Sequence, residues 1–284
     1  MIAEFAASWP LFYTTYLAGW LIAALLAMVG VLVVARDQIF LGAAVAQSST
    51  LGVAVSLGLV ALPLGVVGTW IGRPEGHAVF GVAFSVLAAI LTARPGGSGR
   101  ESPEAVTGWV FLAASSLSIL VVSHSPHGLE EVQQILSSSL IGATTTDLVV
   151  LGALTVLTAA AVAGWHPRLL LFALDPAMAE AVGMRPRRWT LATAVWLGLA
   201  VGGSLHAAGL IYAFGCLVLP ALVAKNLCRQ VRSMFWVAPA TALGGAVAGF
   251  ILANHYDFPP GQLTVALQAA LLPVAWGVRK FRSR

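Results

Sequence analysis

Side chains that could bind a metal ion occur close together at two places in the chain. His255 is followed two residues later by Asp257, and His124 precedes His127 by three residues. Such groups can share a cation, although structural zinc sites have four ligands at a recognisable spacing that differs from this one. His255 and Asp257 are therefore candidate metal ligands. The alternative interpretation is that they are ordinary polar loop residues.

A run of four uncharged polar residues lies inside a long apolar segment. The run is Gln47, Ser48, Ser49 and Thr50. Such a lining could bind a polar solute through hydrogen bonds, or the hydroxyl groups could bond to carbonyls of their own helix. An amide in lipid is costly unless it is paired, so we expect Gln47 to have a partner. These four residues are candidates for lining a translocation pathway.

The elements that would position these residues are membrane-spanning helices. Hydrophobic residues make up 59% of the chain and charged residues 9%, whereas soluble domains carry about a quarter charged residues. Nine apolar runs are close to the roughly 17 to 25 residues that cross a bilayer. We therefore predict an all-α membrane protein in which residues 1–284 form a single transmembrane domain of about nine helices, with eight or ten possible. The runs are Leu11–Ala35, Ile39–Ala61, Ala78–Ala93, Val106–Ser123, Leu148–Trp165, Trp189–Leu205, Ala208–Lys225, Met234–Ala253 and Leu263–Val278.

The distribution of basic residues orients these spans. With the N-terminus outside and the C-terminus in the cytoplasm, fourteen of the fifteen Lys and Arg residues are cytoplasmic and only Arg73 is external. Basic residues are retained on the cytoplasmic side during insertion, so this orientation is predicted. The net charge of +4 follows from the topology, and nothing in the sequence indicates nucleic-acid binding.

The source of energy for any transport is predicted to lie in another subunit. All eleven acidic residues lie in loops or at the ends of spans, which argues against a proton- or sodium-driven transporter because such proteins use intramembrane carboxylates. The sequence has no GxxxxGK[ST] phosphate loop, so ATP hydrolysis requires a partner. Two rival functions remain, a secondary transporter and an intramembrane serine hydrolase. The hydrolase would need a His within hydrogen-bond reach of a Ser on a neighbouring helix.

The longest predicted cytoplasmic loop, residues 166–188, contains a short helix with clear start and stop signals. Asp175 is suited to cap the N-terminus, Pro176 suits the first helical position, and Gly183 ends the helix. Met178 and Glu180 lie on its surface. Such a helix could be a simple turn between two spans, or a coupling helix that fits into a groove of an ATPase.

Three stretches of the second half resemble the ABC transporter permeases for zinc, manganese and iron. Leu174–Met184 is similar to the family pattern DPxxAxxxG, Ala208–Ala221 to VGxLLVxALLxxPAA, and Tyr256–Gly261 to YxxDxPxG. The resemblance implies a permease subunit of an importer in the bacterial plasma (inner) membrane, which binds no cofactor itself. The implied partners are ATPase subunits that use ATP, a second permease copy or a paralogue, and an extracytoplasmic solute-binding protein. It also implies that residues 175–183 form the coupling helix.

The second span departs from the family pattern FxGDAxSHAxLPGxA. Gly42 and Gly52 agree with it, but Ala43, Gln47 and Leu51 replace its Asp, His and Pro. Soft-to-borderline cations prefer imidazole, thiolate or carboxylate ligands over amides and hydroxyls. Either a different permease with the intact pair completes a heterodimer, or the substrate is a metal chelate or a small polar solute.

Two further segments have a simple interpretation. Residues 94–104 are predicted to be a flexible connector in which Ser102 and Pro103 start the next helix. Residues 128–137 have an apolar face and a polar face, which predicts an amphipathic helix on the outer surface.

Overall fold

A computed structural model of the chain describes residues 2–60, 65–93, 102–123 and 143–282. The described residues contain helices and no strand, which confirms the all-α class. The helices are α1 (Ile2–Ala35), α2 (Ile39–Val60), α3 (Gly65–Ile71), α4 (Pro74–Thr92), α5 (Pro103–Val122), α6 (Thr145–Leu174), α7 (Pro176–Ala181), α8 (Pro186–Leu227), α9 (Val231–Tyr256) and α10 (Pro260–Arg282). The amphipathic segment predicted at 128–137, His124 and His127 lie outside the described residues.

Eight helices within the described ranges are long and apolar enough to cross a membrane, and the two short ones, α3 and α7, are not. Helix α8 has 42 residues and would be about 63 Å long if straight, which is twice the hydrocarbon thickness of a bilayer. It contains both the sixth and the seventh predicted spans. The helical conformation is interrupted between them at Gly209, where φ is 76° and ψ is 170°.

Several helix ends differ from the sequence-based expectation. Helix α6 continues to Leu174 although Trp165 was the predicted end of the fifth span, so residues 166–174 are helical and are not loop. Pro167 lies inside this helix. A proline removes one backbone hydrogen bond but does not always end a helix. Helix α1 begins at Ile2 and has a non-helical residue at Phe12, two residues after Pro10.

Local capping accounts for two helix starts. The Ser102 hydroxyl accepts a hydrogen bond from the Ala105 amide at 3.2 Å and Pro103 occupies the first turn of α5, as predicted. At the start of α6, Thr144 and Asp147 form a capping box in which each side chain accepts a bond from the other residue's amide. These bonds satisfy amides that have no partner within the helix.

The chain divides into two compact units. Unit 1 comprises Met1–Asp37, Ser139–Met184 and Ala207–Arg284, and unit 2 comprises Gln38–Ser138 and Arg185–His206. Helix α8 begins in unit 2 and ends in unit 1. The single transmembrane domain of residues 1–284 stays a prediction.

The interior of unit 1 combines close backbone contact with aromatic packing. Gly30 of α1 lies directly against the backbone carbonyl of Leu217 in α8, where no Cβ would fit. The Tyr212 hydroxyl, also on α8, donates a 2.9 Å hydrogen bond to the Gly19 carbonyl of α1. Tyr212 is stacked on Phe250 of α9 with ring centroids 6.3 Å apart. These contacts fix α1, α8 and α9 against one another.

The interior of unit 2 depends on small residues at helix crossings. Gly52 of α2 lies against the backbone carbonyl of Phe80 in α4. A Cβ added at Gly198 of α8 would lie 2.6 Å from the Cα of Val86 in α4. Small residues let helix backbones approach closely, which is how helices pack in lipid without a hydrophobic driving force.

Candidate functional site

The N-terminus of the short helix α7 is capped as the sequence predicts. The Asp175 carboxylate accepts a hydrogen bond from the Met178 amide at 2.9 Å, and Pro176 is the first helical residue. The Asp175 carbonyl accepts a second bond, from the Ala179 amide at 3.0 Å. Together these bonds satisfy two amides at the start of a six-residue helix that could not hold its shape from helix propensity alone.

The C-terminus of α7 ends in a Schellman motif. Gly183 has a φ of +83°, a left-handed conformation that favours glycine. Its amide donates to the Glu180 carbonyl at 2.9 Å, and the Met184 amide donates to the Ala179 carbonyl at 3.0 Å. Both ends of α7 are therefore fixed by residues within the segment 175–184.

Helix α7 exposes nearly all of its surface. Ala179 is fully buried, whereas Leu174, Met178 and Val182 are 56%, 51% and 56% exposed. Met178 and Val182 lie four positions apart and form an exposed apolar stripe on one face of α7 and its C-terminal turn. Leu174 is the last residue of α6, and the non-helical Asp175 separates it from α7. Glu180 is also exposed. An exposed apolar stripe on a rigid helix is typical of a surface that binds another protein.

The last turns of α6, which lead into α7, are packed against the end of α1. Leu169, Phe172 and Ala173 are buried. The Arg36 guanidinium carbon lies 4.8 Å from the centroid of the Phe172 ring, a cation–π contact. Burial lowers the pKa of the Arg36 guanidinium from its usual value, although an arginine still stays protonated at neutral pH.

The turn after α1 carries an ion pair with the end of α8. The Lys225 ammonium lies 2.6 Å from the Asp37 carboxylate. Asp37 has a φ of 53°, an uncommon left-handed conformation that an aspartate tolerates better than most residues. The pair and the left-handed residue together define where α1 ends.

The polar run of α2 is divided between two environments. Ser48, Ser49 and Thr50 are buried, and Ser48 and Thr50 donate to the carbonyls of Ala44 and Ala46 in their own helix. The buried Ser49 hydroxyl has no hydrogen-bond partner within the described part of the chain. The interpretation of Ser48 and Thr50 as residues bonded to their own helix therefore agrees with the structure.

Gln47 lies on a different face of α2. It is partly exposed, as are Ala43, Leu51 and Val55 at intervals of four residues, so these residues form one open stripe, which we call the Gln47 stripe. The positions of the family's Asp, His and Pro, which are 43, 47 and 51 in this chain, all lie on it. The candidate lining of α2 is therefore one amide on an apolar stripe.

His255 pairs with a residue that the sequence did not suggest. Its Nδ1 lies 2.8 Å from the Glu4 carboxylate of α1. Asp257 is the left-handed residue that ends α9, with its amide donating to the Ala253 carbonyl. Among the described residues, no group of three or more His, Cys, Asp or Glu side chains could hold a metal ion. The assignment of His255 and Asp257 as metal ligands stays a prediction.

A Ser–His contact between helices was missed by the sequence analysis. The Ser56 hydroxyl of α2 lies 2.6 Å from Nδ1 of His77 in α4, and it also donates to the Val53 carbonyl at 2.6 Å. Ser56 is fully buried, and a nucleophile must be reachable by its substrate. This contact therefore links two helices. Its signal in the sequence was only a Ser within the second predicted span and a His directly before the third.

The long apolar helices define a polytopic membrane protein, in which the short, doubly capped helix α7 lies between two of them. The family described as "ABC 3 transport family" matches residues 8–278. The chain belongs to this family, which confirms the resemblance seen in its second half and extends it to nearly the whole sequence.

Two curated relatives illustrate the similarity. The manganese transport system membrane protein MntB of Synechocystis is 26% identical over 179 residues, which cover 62% of this chain and 57% of that protein. The chelated iron transport system membrane protein YfeD of Yersinia pestis is 25% identical over 215 residues, which cover 75% of this chain and 71% of that protein. The match therefore spans little more than half of the manganese protein.

A solved structure supports the fold over the full length. The chain is similar to PsaBC from Streptococcus pneumoniae in complex with Fab, with a TM-score of 0.79 and 19% identity. The similarity covers 97% of this chain and 95% of that chain. At this level of identity the similarity shows a shared fold.

Proposed function

We propose that the chain is the transmembrane permease subunit of an ABC importer for a divalent metal ion, namely zinc, manganese or iron, or for its chelate. The observation that carries this proposal is helix α7, which is capped at both ends and presents the apolar stripe of Met178 and Val182. Membership of the ABC 3 transport family and the names of the manganese and chelated-iron relatives support it.

The orientation in this proposal places α7 in the cytoplasm. Fourteen of the fifteen Lys and Arg residues are cytoplasmic if the N-terminus lies outside and the C-terminus inside. An ATPase subunit binds the stripe of α7, and its closure on ATP moves α7. That movement shifts the helices between outward-open and inward-open states. Hydrolysis takes place in the ATPase, and the permease forms the path.

The path itself is proposed to lie along the Gln47 stripe of α2, opposite a second permease copy or a paralogue. An extracytoplasmic solute-binding protein delivers the substrate from outside. Gln47 offers one carbonyl oxygen and one amide group, which suits hydrogen bonding to a chelate or a hydrated ion better than direct coordination of a soft cation. Glu4, His255 and Asp257 lie at the external end in this orientation.

Substitution of Ala179 by proline tests the proposal. Proline removes the amide that bonds to the Asp175 carbonyl and breaks α7 at its one buried residue. We expect uptake of zinc, manganese and iron, measured by elemental analysis of cells that express the complete transporter, to fall by about tenfold or more, the effect of a loss of about 1.4 kcal/mol or more in coupling. The amount of protein in the membrane should stay unchanged.

A matched control is Ala177→Ser, which alters an exposed residue of the same helix outside the stripe. Its uptake should equal that of the unmodified chain. If Ala179→Pro supports unchanged uptake at equal protein levels, α7 does not couple an ATPase to transport and the proposal is wrong.

A further inference from the structure

The end of α1 is held by two contacts that reach different helices. Arg36 lies over the Phe172 ring of α6, and Asp37 is paired with Lys225 of α8. Among the described residues, Lys225 forms an ion pair with Asp37 and His255 forms one with Glu4, and Arg36 takes part in neither. Partial burial removes water from the Arg36 guanidinium, which costs free energy. The contact with the Phe172 ring offsets part of that cost.

Phe172 connects Arg36 to helix α7. Its ring is 2% exposed, so it has little freedom to turn on its own. It lies three residues before Asp175, the cap of α7, in a continuous helix. Only Asp175, which is not helical, separates α6 from α7. This short connection is the route by which a displacement of α7 would reach Phe172.

Asp37 connects the same turn to α2. Only Gln38 separates Asp37 from Ile39, the first residue of α2. The end of α1 therefore continues within two residues into the helix that carries Gln47. Asp37, the residue after Arg36, is paired with Lys225. A force applied at Arg36 therefore acts on a turn whose next residue is already in contact with α8.

We propose that Arg36 is a positioning residue that passes displacement of α7, through the Phe172 ring, to the turn between α1 and α2. This inference rests on the proposed function, because it needs an ATPase to move α7. Arg36 acts by its cation–π contact. The alternative is that Arg36 only fixes the depth of α1 at the membrane surface, a role in which the ring of Phe172 plays no part.

The test measures substrate transported per ATP hydrolysed by the transporter complex, reconstituted with its ATPase in lipid vesicles and assayed with manganese and with zinc. We expect Arg36→Gln and Phe172→Leu each to lower this ratio by between about twofold and thirtyfold, the range that a cation–π contact supports. The double variant should be no worse than either single variant, because both remove the same contact. Arg36→Lys, which keeps a cation over the ring, should stay within about twofold of the unmodified complex.

Arg279→Gln is the matched control, because Arg279 is another guanidinium of unit 1 and bonds to Asn226 away from α6. Its ratio should be unchanged. The inference is overturned if Arg36→Gln leaves the ratio unchanged, or if the effects of Arg36→Gln and Phe172→Leu multiply in the double variant. Ala179→Pro in the same vesicles separates the two proposals. If Ala179→Pro loses transport and Arg36→Gln keeps a normal ratio, only the role proposed for Arg36 is wrong. If Ala179→Pro transports normally, the proposed coupling function of α7 is wrong.

Discussion

Polar side chains do different work in the two units of this protein. In unit 1 many of them join different helices, as when Tyr212 donates to Gly19 and Gln268 of α10 donates to the Ala242 carbonyl of α9, although Thr158 and Thr241 bond to their own helices. In unit 2 most of them bond to their own helix, as Ser48 and Thr92 do. Two bonds between helices of unit 2 are nevertheless present among the described residues, Ser56 with His77 and Ser85 with the Gly198 carbonyl.

The difference indicates how each unit keeps its shape. A hydrogen bond between helices is directional and joins two particular residues, so it resists sliding of one helix along another. Close packing of small residues is specific in shape but gives a smooth contact. Unit 1, which carries α7 and the Arg36 contact, thus combines directional bonds between helices with close backbone contact at Gly30. Unit 2, which carries the Gln47 stripe, depends mainly on close backbone approach.

Three substitutions test this difference between the units, and the largest loss of stability is expected at Gly52 of unit 2. A Cβ at this position overlaps the backbone carbonyl of Phe80, and overpacking of a tight contact costs about 1–3 kcal/mol. Gly52→Ala should therefore lower the thermal unfolding temperature in detergent by several degrees. Gly108→Ala is the control within the same unit, since a Cβ at Gly108 meets nothing within 4 Å, and its unfolding temperature should not fall. Equal effects of the two variants would contradict the role of small residues in unit 2.

A smaller effect is expected from Tyr212→Phe in unit 1. The change removes the hydroxyl that bonds to the Gly19 carbonyl and keeps the ring that stacks on Phe250. Hydrogen bonds between membrane helices are worth about 0.6 kcal/mol on average and up to about 1.7 kcal/mol. The same detergent unfolding measurement should show a modest loss of stability. An unchanged unfolding temperature would mean that the bond between α1 and α8 does not hold unit 1 together.

The smallest effect on stability is expected from Ser48→Ala in unit 2. The Ser48 hydroxyl bonds only to the Ala44 carbonyl of its own helix in the described structure, a bond that adds little to helix stability. The unfolding temperature and metal uptake should both be unchanged. Gln47→Leu changes the preceding residue, which lies on the Gln47 stripe. It should leave the unfolding temperature unchanged but lower metal uptake. Loss of uptake in Ser48→Ala but not in Gln47→Leu would show that the wrong face of α2 was assigned to the path.

The sequence predicted the features that depend on neighbouring residues. Helix α7 is the clearest example, because Asp175, Pro176 and Gly183 act on bonds that lie within ten residues of chain. The start of α5 at Ser102 and Pro103 was predicted for the same reason. The all-α membrane class followed from composition, which requires no knowledge of packing.

Features that depend on distant residues could not be predicted. Nothing near His255 in the sequence indicates Glu4, which lies 251 positions away, and nothing near Arg36 indicates Phe172. The sequence also did not show on which face of α2 Gln47 lies, because a uniformly apolar helix has no periodicity that marks its buried side. The extension of α6 through Pro167 was missed because the loss of one hydrogen bond is a weak stop signal in a long helix.

The break in α8 has a consequence for inheritance. Gly209 combines a φ of 76° with a ψ of 170°, a region of backbone conformation that is essentially restricted to glycine. It lies within three residues of the point where the chain passes from unit 2 to unit 1. In genetic terms, any missense change in this codon adds a Cβ to a conformation that only glycine adopts without strain. The boundary between the two units is thus encoded at a position that has no equivalent substitute among the other amino acids.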